Sequence, residues 1–479
     1  MSLVLYDTLQ RAEVPFVPRD DGRVAMYACG PTVQADAHVG HGRLMVVSDL
    51  LRRYLRYLGY AVTYVQNVTD IDDKIILRAR REQVDPAVIA TRFTQAWNRT
   101  VDALGALPPD IQPFATGHLL EMQELIQTLL EQDKAYAVDG DVFFRVRTFP
   151  DYGKLSRRRI DELEQGEDVV DADRKEDPLD FAMWKSAKPG EPSWPSPWGP
   201  GRPGWHIECS VMATKHLGAE FDIHCGGLDL VFPHHENEIA QFEAAESRPF
   251  ARHWIHNGMV QMGDEKMSKS VGNVVSLADA VDAWGRGPMR LWYLSAQHRT
   301  PLTFDEERLS DASAAFARLV TFVRAVRRAA GVTAADADAD AGAPHRAAFE
   351  AAMDDDLNAP AAIAALHDLV SAGNDLLADV SSDATAAAAV AGLADTLVEL
   401  ADDVLGLGID DELDRAAVDE ARMAPLVEEL LEQRRRARND RDFAAADAIR
   451  DRLADAGVVV EDQGTTSVWY VANRGGAET

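Results

Sequence analysis

The chain has 479 residues, of which 46% are hydrophobic, a length and composition typical of a soluble protein with several domains. Its formal net charge of −30 disfavours a polyanionic partner over most of the surface. We find no run of about 18 apolar residues that predicts a membrane span, and the N-terminus lacks a signal-peptide pattern. Three cysteines in so long a chain indicate a reducing, cytoplasmic environment rather than a disulfide framework.

The N-terminal part alternates between strand and helix patterns. Arg23–Thr32 predicts a strand that ends in a Gly-Pro turn. Leu44–Leu58 has helical apolar spacing, with three arginines, Arg52 among them, on the outward face. Ala61–Val68 predicts a second strand. This order is the opening of a parallel α/β nucleotide-binding fold, although any doubly wound α/β protein shares it.

Changes of pattern divide the rest of the chain. Residues 116–200 read as an insertion, with a helix at Leu119–Gln132, a hairpin pattern and a loop rich in proline and tryptophan. After Gly204 the α/β pattern resumes, and past Asp311 the composition shifts to helical segments rich in alanine. From about Leu426 the pattern predicts a charged helix pair and a short β-like tail. We therefore expect an α/β fold with an inserted domain, then helices, then a small mixed α+β domain.

The stretch Ile223–Glu238, IHCGGLDLVFPHHENE, concentrates residues that bind metals. His234 and Glu238 are four apart, which places both side chains on one face of a helix. An imidazole and a carboxylate so placed form half of a metal site, and Cys29 and Cys209 can supply two thiolates. His224, Cys225 and His235 are competing ligands by residue type. On a helix His235 would point about 100° away from His234.

Two motifs suit a nucleotide. His38-Val39-Gly40-His41 follows the first strand and opens a helix, where free N–H groups and two imidazoles can contact phosphate. Lys266 and Lys269, in KMSKS, form a basic loop that can close over a pyrophosphate leaving group. Alone, the first motif is more often a pair of helix-capping histidines, and the second an exposed charged loop. The two together in an α/β chain are a specific pair.

With these motifs the chain resembles the class I aminoacyl-tRNA synthetases and, within that class, the cysteinyl-tRNA synthetase family. The stretches that carry the resemblance are CGPTV at Cys29–Val33, HVGH at His38–His41, NVTDIDDKI at Asn67–Ile75, GWHIECSVM at Gly204–Met212, FPHHENEIAQ at Phe232–Gln241, HNGMV at His256–Val260 and KMSKSVGN at Lys266–Asn273. Cys225 departs from the family's HGGG pattern, and Val39 replaces its usual isoleucine.

The resemblance implies a domain order and a set of roles. It implies a Rossmann-type catalytic domain in two halves (1–115 and 201–262), a connective insertion (116–200), a KMSKS and stem-contact region (263–318), a helical bundle (319–415) and an anticodon-binding domain (416–479). The implied zinc ligands are Cys29, Cys209, His234 and Glu238. The implied cysteine-binding residues are Cys29, Gly30, Thr69, Trp205 and Asp229. The implied ATP-binding residues are Gly40, His41, Gly227, Asp229, Val260 and Lys269. The implied catalytic residues are His38, His41, Lys266 and Lys269.

The C-terminal end carries a basic run, Arg434–Arg441, in an otherwise acidic protein. Such a run is usually a solvated helix face, but its isolation favours contact with phosphate. The resemblance implies an anticodon-binding end here, with tRNA contacts from Arg434, Arg435 and Arg436 and base stacking by Trp469.

The resemblance implies an enzyme that joins L-cysteine to tRNA(Cys) with ATP, using one Zn²⁺ per chain and Mg²⁺ with the nucleotide. We expect a cytoplasmic monomer with no membrane contact. One alternative is a cysteine ligase of the same fold that acts on a sugar amine. Another, from a different class, is an RNA-binding module stapled by zinc and without catalysis.

Overall fold

The computed structural model describes residues 3–162, 173–262, 265–266, 274–329, 337–463 and 466–471, and for residues 265–266, 461–463, 466 and 468 it describes the backbone alone. The chain divides into two compact units. Unit 1 consists of Met1–Asp279, Ala296–Phe304 and Glu350–Ala362, and unit 2 of Ala280–Ser295, Asp305–Phe349 and Ile363–Thr479. Unit 1 carries most of the strands, and unit 2 carries most of the later helices.

The elements, in chain order, alternate between strand and helix in the first half of the chain. The strands are β1 (Val4–Asp7), β2 (Ala12–Pro15), β3 (Arg23–Ala28), β4 (Ala61–Gln66), β5 (Ala135–Val138), β6 (Asp141–Phe144), β7 (Phe181–Ser186), β8 (Gly201–Pro203), β9 (Phe221–Gly227), β10 (Ala251–Asn257), β11 (Val260–Met262), β12 (Glu265–Lys266), β13 (Leu302–Thr303), β14 (Val458–Gln463) and β15 (Thr466–Val471). The α-helices are α1 (Val39–Tyr57), α2 (Asp73–Glu82), α3 (Pro86–Ala103), α4 (Leu119–Glu131), α5 (Trp205–Leu217), α6 (Glu236–Glu246), α7 (Leu277–Trp284), α8 (Arg286–Leu294), α9 (Glu306–Arg328), α10 (Ala343–Asp354), α11 (Ala359–Leu377), α12 (Ala384–Val398), α13 (Ile409–Asn439) and α14 (Phe443–Asp455).

A four-stranded parallel sheet forms the centre of unit 1. Its strand order is β10-β9-β3-β4, and each neighbouring pair is parallel. All seven residues of β9 are buried, as expected where helices cover both faces of a parallel sheet. Helix α1 makes the crossover from β3 to β4. The carboxyl ends of the four strands meet at one edge, which is where open α/β sheets bind ligands.

A second, antiparallel sheet is inserted in the chain between β4 and β9. Its order is β5-β6-β7-β8. The turn between β5 and β6 is Asp139-Gly140, and both residues have positive φ (49° and 85°), which is the conformation that an Asp-Gly hairpin turn favours. Phe144, Phe181 and Trp184 are buried in a core that this sheet shares with the parallel sheet. The inserted domain predicted from the sequence is therefore present.

One prediction for α1 is wrong, because Arg52 does not face solvent. Its side chain is 3% exposed. Its guanidinium donates to the carbonyls of Leu107 and Pro108 at 3.3 and 2.6 Å and to the Asp110 carboxylate at 2.7 Å. The loop after α3 covers this face of α1, and its carbonyls and carboxylate satisfy the buried cation.

Unit 2 is mainly helical. The buried Arg290 of α8 donates from Nε to the Leu405 carbonyl at 2.8 Å. The helical stretch Ala384–Val404, which includes α12, is long and apolar enough to span a membrane, although the sequence analysis predicted no such segment. A core helix of a soluble protein passes the same test. In this stretch 61% of the apolar window is buried within the protein.

The C-terminal end of unit 2 mixes helix and strand. Helices α13 and α14 pack on the antiparallel hairpin β14–β15. Val427, Leu453 and Val458 form the small core between them. A parallel α/β sheet with an insertion, a helical region and a mixed C-terminal element together confirm the predicted fold class.

Candidate functional site

Polar side chains from several parts of unit 1 converge at the carboxyl edge of the parallel sheet. Cys29 directly follows β3, and Thr69 lies just beyond β4. His224 lies on β9, and His256 lies near the end of β10. All four are buried. This edge therefore holds a polar, largely dry site in the place where parallel strands end.

The four predicted metal ligands come together at this edge. Cys29, Cys209, His234 and Glu238 offer one ligand atom each, and these atoms lie within 4.8 Å of one another. The Sγ atoms of Cys29 and Cys209 are 3.6 Å apart. Nε2 of His234 is 3.0 Å from Oε1 of Glu238. All four residues are buried, so the arrangement is a closed cluster of two thiols, one imidazole and one carboxylate.

The packing of α5 on α6 holds this cluster together. Cys209 lies in α5 and Glu238 in α6. Between the helices, the Ser210 hydroxyl donates to the Glu238 carbonyl at 3.2 Å, and the Gln241 amide donates to that hydroxyl at 3.0 Å. These bonds fix the spacing of the two helices at the depth where the ligands meet.

A second set of ligand types overlaps the first. Cys29, His224, His235 and Glu238 also lie within 4.8 Å of one another. Nε2 of His224 is 2.7 Å from Oε2 of Glu238, and Nε2 of His235 is 3.3 Å from Sγ of Cys29. Cys29 and Glu238 thus belong to both sets.

His235 lies in the cluster, although helical geometry predicted that it would point away from His234. His234 and His235 approach the same Glu238 oxygen, at 3.0 and 3.9 Å. Residues three and four positions before a carboxylate both flank it on a helix surface, so a rotation of about 100° does not remove His235 from the cluster. Gly226 assists, since a Cβ there would overlap the His235 ring.

Two further histidines contact the imidazoles of the cluster. Nδ1 of His235 contacts Nε2 of His256 at 2.8 Å, and Nδ1 of His256 contacts the Thr8 hydroxyl at 2.8 Å. Nδ1 of His206 lies 3.0 Å from Nδ1 of His234. Partners of this kind orient the rings of metal-binding histidines and set which nitrogen faces the metal. The sequence analysis assigned no role to Thr8 or to His206 and His256.

Burial and close contacts shift the acid–base properties of the cluster. Burial opposes ionisation of Cys209, but the hydrogen bond from Cys29 and the contact with His234 lower its pKa to about 6. Burial, together with Cys209, raises the pKa of Cys29. Burial by itself lowers the pKa of His234, but Glu238 and Cys209 raise it to about 10. The cluster therefore places negative charge on Cys209 and Glu238 and a balancing proton on His234, which a metal ion would displace.

Burial also opposes ionisation of Glu238, yet His224 and His234 hold the pKa of that carboxyl well below its usual range. Glu238 is thus a carboxylate in the folded protein and can serve as a ligand without losing a proton. Cys225 plays no comparable part. In the extended strand β9 it follows His224, so its side chain points to the opposite face of the sheet.

The residues predicted to bind cysteine border the cluster. The Thr69 hydroxyl donates to Oε2 of Glu208 at 2.6 Å, and both residues are buried. The Gly30 N–H donates to Oδ1 of Asn67 at 2.8 Å, and a Cβ on Gly30 would overlap the Asn67 carbonyl. Trp205 stacks on a ligand, the His234 imidazole. The sequence analysis missed Asn67 and Glu208. The signal that the sequence offers is an amide within NVTDIDDKI and an acid within GWHIECSVM, two motifs that carry the resemblance.

The HVGH residues lie in the first turn of α1. The His38 backbone N–H donates to Nδ1 of His41 at 3.1 Å, and the two rings stack with centroids 3.7 Å apart. A Cβ on Gly40 would approach the His38 ring to 2.9 Å, so glycine permits this arrangement. Two imidazoles thus lie together at the N-terminus of α1, where the positive end of the helix dipole favours a phosphate.

The described residues on both sides of KMSKS lie near the same helix. Lys266 pairs through its backbone with Gln261 of β11, and β11 packs on α1. On the other side, the Val275 carbonyl accepts a hydrogen bond from the Val39 N–H at 3.0 Å. Lys269 lies outside the described residues.

The remaining predicted nucleotide ligands lie at strand ends. Gly227 ends β9, and the exposed Asp229 follows it. A Cβ on Gly227 would approach Oδ1 of Asp229 to 2.6 Å. Val260 opens β11 and is buried, so only its backbone can face a ligand.

The residues predicted to contact tRNA lie in unit 2 and differ in their exposure to solvent. Arg434 is 6% exposed and donates to the Ser467 hydroxyl at 3.3 Å. Arg435 and Arg436 are exposed and both pair with Glu432, at 2.6 and 2.9 Å. Trp469 is partly buried and packs on the core of the C-terminal element. Exposure thus favours Arg435 and Arg436 as the residues that can reach a nucleic acid.

Comparison with protein families identifies the chain. Residues 15–314 match the model of the class I (C) tRNA synthetase catalytic domain, residues 348–410 the DALR domain, and residues 421–469 the cysteinyl-tRNA ligase anticodon binding domain. The chain belongs to the cysteine–tRNA ligase family. As a member of that family it is an ATP-dependent aminoacyl-tRNA synthetase, which confirms the resemblance noted in the sequence.

Curated members of the cysteine–tRNA ligase family match along almost their whole length. The cysteine–tRNA ligase of Geobacter sulfurreducens is 44% identical over 98% of this chain and 100% of its own. That of Thioalkalivibrio sulfidiphilus is 46% identical, covering 98% of this chain and 99% of its own.

Solved structures of other synthetases share the fold. Methionyl-tRNA synthetase of Mycobacterium tuberculosis, in complex with methionyl-adenylate, superposes with a TM-score of 0.62 at 17% identity, over 82% of this chain and 93% of that one. A leucyl-tRNA synthetase of Agrobacterium radiobacter K84 superposes with a TM-score of 0.60 at 12% identity, over 83% of this chain and 85% of that one. At these identities the likeness concerns the fold of this cysteine–tRNA ligase family member and no more.

Proposed function

We propose that the buried cluster of Cys29, Cys209, His234 and Glu238 holds Zn²⁺ and thereby selects cysteine in the reaction of this family. In that reaction ATP and L-cysteine form cysteinyl-adenylate and pyrophosphate. The cysteinyl group then passes to the 3′ end of tRNA(Cys). We further propose that the protein works as a monomer with Mg²⁺-bound ATP. We also propose that it is cytoplasmic, since its three buried thiols form no disulfide and suit a reducing compartment.

The single observation that carries the proposal is the geometry of the donor set. Two Zn–S bonds of about 2.3 Å at a tetrahedral angle place the sulfur atoms about 3.8 Å apart, and the Sγ atoms of Cys29 and Cys209 are 3.6 Å apart. Thiolate, imidazole and carboxylate are all ligands of zinc. The sulfur spacing and the donor types of the four residues thus fit this ion.

We assign His234 rather than His224 or His235 to the metal. His224 and His235 share contacts with Glu238 and Cys29, but the set that contains them offers one sulfur, whereas the set with Cys209 and His234 offers two. Because thiolates are preferred ligands of zinc, the set with two sulfur atoms is the better site. His224 and His235 then serve to hold Glu238 and Cys29 in place.

Selection of the amino acid follows from the chemistry of the thiol. When bound, zinc would accept a substrate thiolate as a fifth ligand beside the four from the protein. The residues of the chain restrict the space beside the ligands: Trp205 stacks on His234, and the buried Thr69 is held by its hydrogen bond to Glu208. Serine carries a hydroxyl that ionises far less readily and is a harder, poorer zinc ligand.

Activation takes place, in this proposal, at the N-terminus of α1. The cysteine carboxylate attacks the α-phosphate of ATP in line, and pyrophosphate leaves. His38 and His41, at the N-terminus of α1, stabilise the charge that grows on the phosphates. Lys266 and Lys269 assist the leaving pyrophosphate. Gly227, Asp229 and Val260 border the nucleotide, and Gly30, Thr69, Trp205 and Asp229 border the amino acid.

Two assays on one preparation test this function. ATP–pyrophosphate exchange that depends on cysteine separates an enzyme from a zinc-stapled RNA-binding module. Charging of tRNA(Cys) separates a tRNA ligase from a ligase that acts on a sugar amine. The match of residues 421–469 to an anticodon binding domain favours the tRNA ligase. Exchange without charging would favour the sugar-amine alternative.

A further inference from the structure

A pair of histidines outside the active site joins α4 of the insertion to α5. His118 directly precedes α4, and His216 lies in the last turn of α5. Their Nε2 atoms are 3.0 Å apart, and the ring planes are inclined by 71°. Both side chains are partly exposed, and both belong to unit 1. His216 follows Cys209 by seven residues, about 10 Å along the helix axis, so the pair is separate from the buried cluster.

The tautomer of His118 leaves a lone pair on the facing nitrogen. Nδ1 of His118 lies 2.9 Å from the Phe114 carbonyl, which can only accept, so Nδ1 carries the proton. Nε2 of His118 therefore accepts from Nε2–H of His216. Histidines that bind metals have this same arrangement, with one ring nitrogen donating to a backbone carbonyl and the other facing the metal.

The distance between the two nitrogens fits a shared metal ion. Two metal–nitrogen bonds of about 2.0–2.1 Å at angles between about 90° and 110° place the nitrogens about 2.8–3.4 Å apart. The observed 3.0 Å falls in this range. When a metal replaces the shared proton, His216 can move its proton to Nδ1, so both rings stay neutral and no charge is lost.

Neighbouring groups keep His216 neutral, as a metal ligand must be. Burial, together with His118 and Lys215, lowers the pKa of His216, so that ring is neutral at physiological pH. Glu121 lies three residues after His118, on the same face of α4. Its carboxylate contacts Lys215 at 3.0 Å, next to His216 in the chain. Lys215 is thus paired with Glu121 beside the two histidines.

We propose that His118 and His216 form a second site for a divalent transition metal such as nickel, copper or zinc, which would tie the inserted domain to α5. Imidazole pairs suit these ions. The site would act on α5, the helix that carries Cys209, without taking part in the chemistry. This proposal does not depend on the function proposed above.

Calorimetric titration of the zinc-loaded protein with Ni²⁺ tests the proposal, with released zinc measured in the same samples. We expect one Ni²⁺ to bind per chain without zinc release. His118→Gln and His216→Gln should each weaken that binding at least about tenfold, because one imidazole cannot chelate. His345→Gln, at a partly exposed histidine of α10, should leave it unchanged. Lys215→Gln should tighten it, because a positive charge next to His216 is removed.

Thermal unfolding with and without Ni²⁺ supplies a second readout. The unfolding midpoint should rise with Ni²⁺ in the parent and in His345→Gln but not in the His118 and His216 variants. Binding no tighter than about 1 mM in the parent would overturn the proposal. So would unchanged Ni²⁺ binding in His118→Gln, or binding that is matched by zinc release.

Discussion

The indole ring of Trp205 lies almost parallel on the imidazole of His234, with centroids 4.0 Å apart and planes inclined by 23°. Trp205 opens α5, and Cys209 follows four residues later on the same face. One helix thus supplies both a metal ligand and the aromatic wall that covers another ligand. This relationship links the selectivity proposed for the site to the local fold of α5.

The ligand set predicts the metal content of variants. We expect one zinc per chain in the purified protein, and Cys209→Ser should lose most of it, because a hydroxyl is a poor replacement for a thiolate that is ionised at neutral pH. Metal analysis by mass spectrometry measures this directly. Cys225→Ser is the matched control, since that buried thiol points to the other face of the sheet, and it should keep its zinc. Full zinc in Cys209→Ser would contradict the assignment.

The KMSKS loop predicts a kinetic effect without a binding effect. Lys269→Ala should slow adenylate formation by about 10²-fold or more, while the affinity for cysteine changes little, because the partner charge of Lys269 grows in the transition state. Single-turnover measurement of adenylate formation separates the two quantities. Lys188→Ala, at an exposed lysine of the insertion, serves as the control. Adenylate formation at the parental rate would show that Lys269 has no such role.

The exposed arginines of α13 predict an effect on tRNA alone. Replacing Arg435 and Arg436 with glutamine should weaken tRNA binding and lower the salt dependence of that binding, with ATP–pyrophosphate exchange unchanged. Glu432→Gln should act in the opposite direction, because Glu432 pairs with both arginines. Filter binding at several salt concentrations measures both effects. If Glu432→Gln also weakens binding, the arginines do not contact phosphate.

Arg434 calls for a separate expectation, because its side chain is buried. Arg434→Gln should lower the stability of the C-terminal element, since it removes the bond to Ser467 and leaves a gap beside β15. Comparison of thermal unfolding with that of the double glutamine variant distinguishes a folding defect from a loss of tRNA contact.

A buried histidine away from the metal predicts a dependence of stability on pH. Burial, with Arg299 and Arg43 nearby, lowers the pKa of His298 to about 3 in the folded protein, below its usual value of about 6.5 in an unfolded chain. The unfolded state therefore binds the extra proton first, and the contribution to stability is complete above pH 6.5 and is lost as pH falls toward 3.

Between pH 6.5 and pH 5 this group should cost the parent up to about 2 kcal/mol of the free energy of unfolding. His298→Gln lacks the titrating group and should lose correspondingly less. Urea unfolding of both proteins at the two pH values measures the difference. An equal loss in parent and variant would show that His298 does not contribute.

Local patterns in the sequence predicted the sheet, the insertion and the pairing of His234 with Glu238, because strand ends and helix spacing are local properties. The choice of Cys29 and Cys209 as their partners came from the resemblance to the family. The second layer of the site was not predicted in this way. His256 and His206 reach the cluster only through tertiary packing, and a strand or helix pattern does not state which buried imidazoles will meet.

The same limit explains the arginines. Arg52 and Arg434 look exposed in a helical pattern because each lies among charged neighbours. A loop with free carbonyls covers Arg52, and strand β15 lies against Arg434. Long side chains of this kind can be buried when a distant segment supplies hydrogen bonds, and helical spacing contains no information about that segment.

The central claim is that the buried cluster selects cysteine through its thiol. The most direct measurement is ATP–pyrophosphate exchange by the zinc-loaded protein with cysteine and with serine, compared as kcat/KM. A substrate that lacks the one specific ligand contact should be disfavoured by about 10⁴-fold or more, without any editing step. We expect a ratio of that size in favour of cysteine, and serine activation within about tenfold of cysteine would contradict the account.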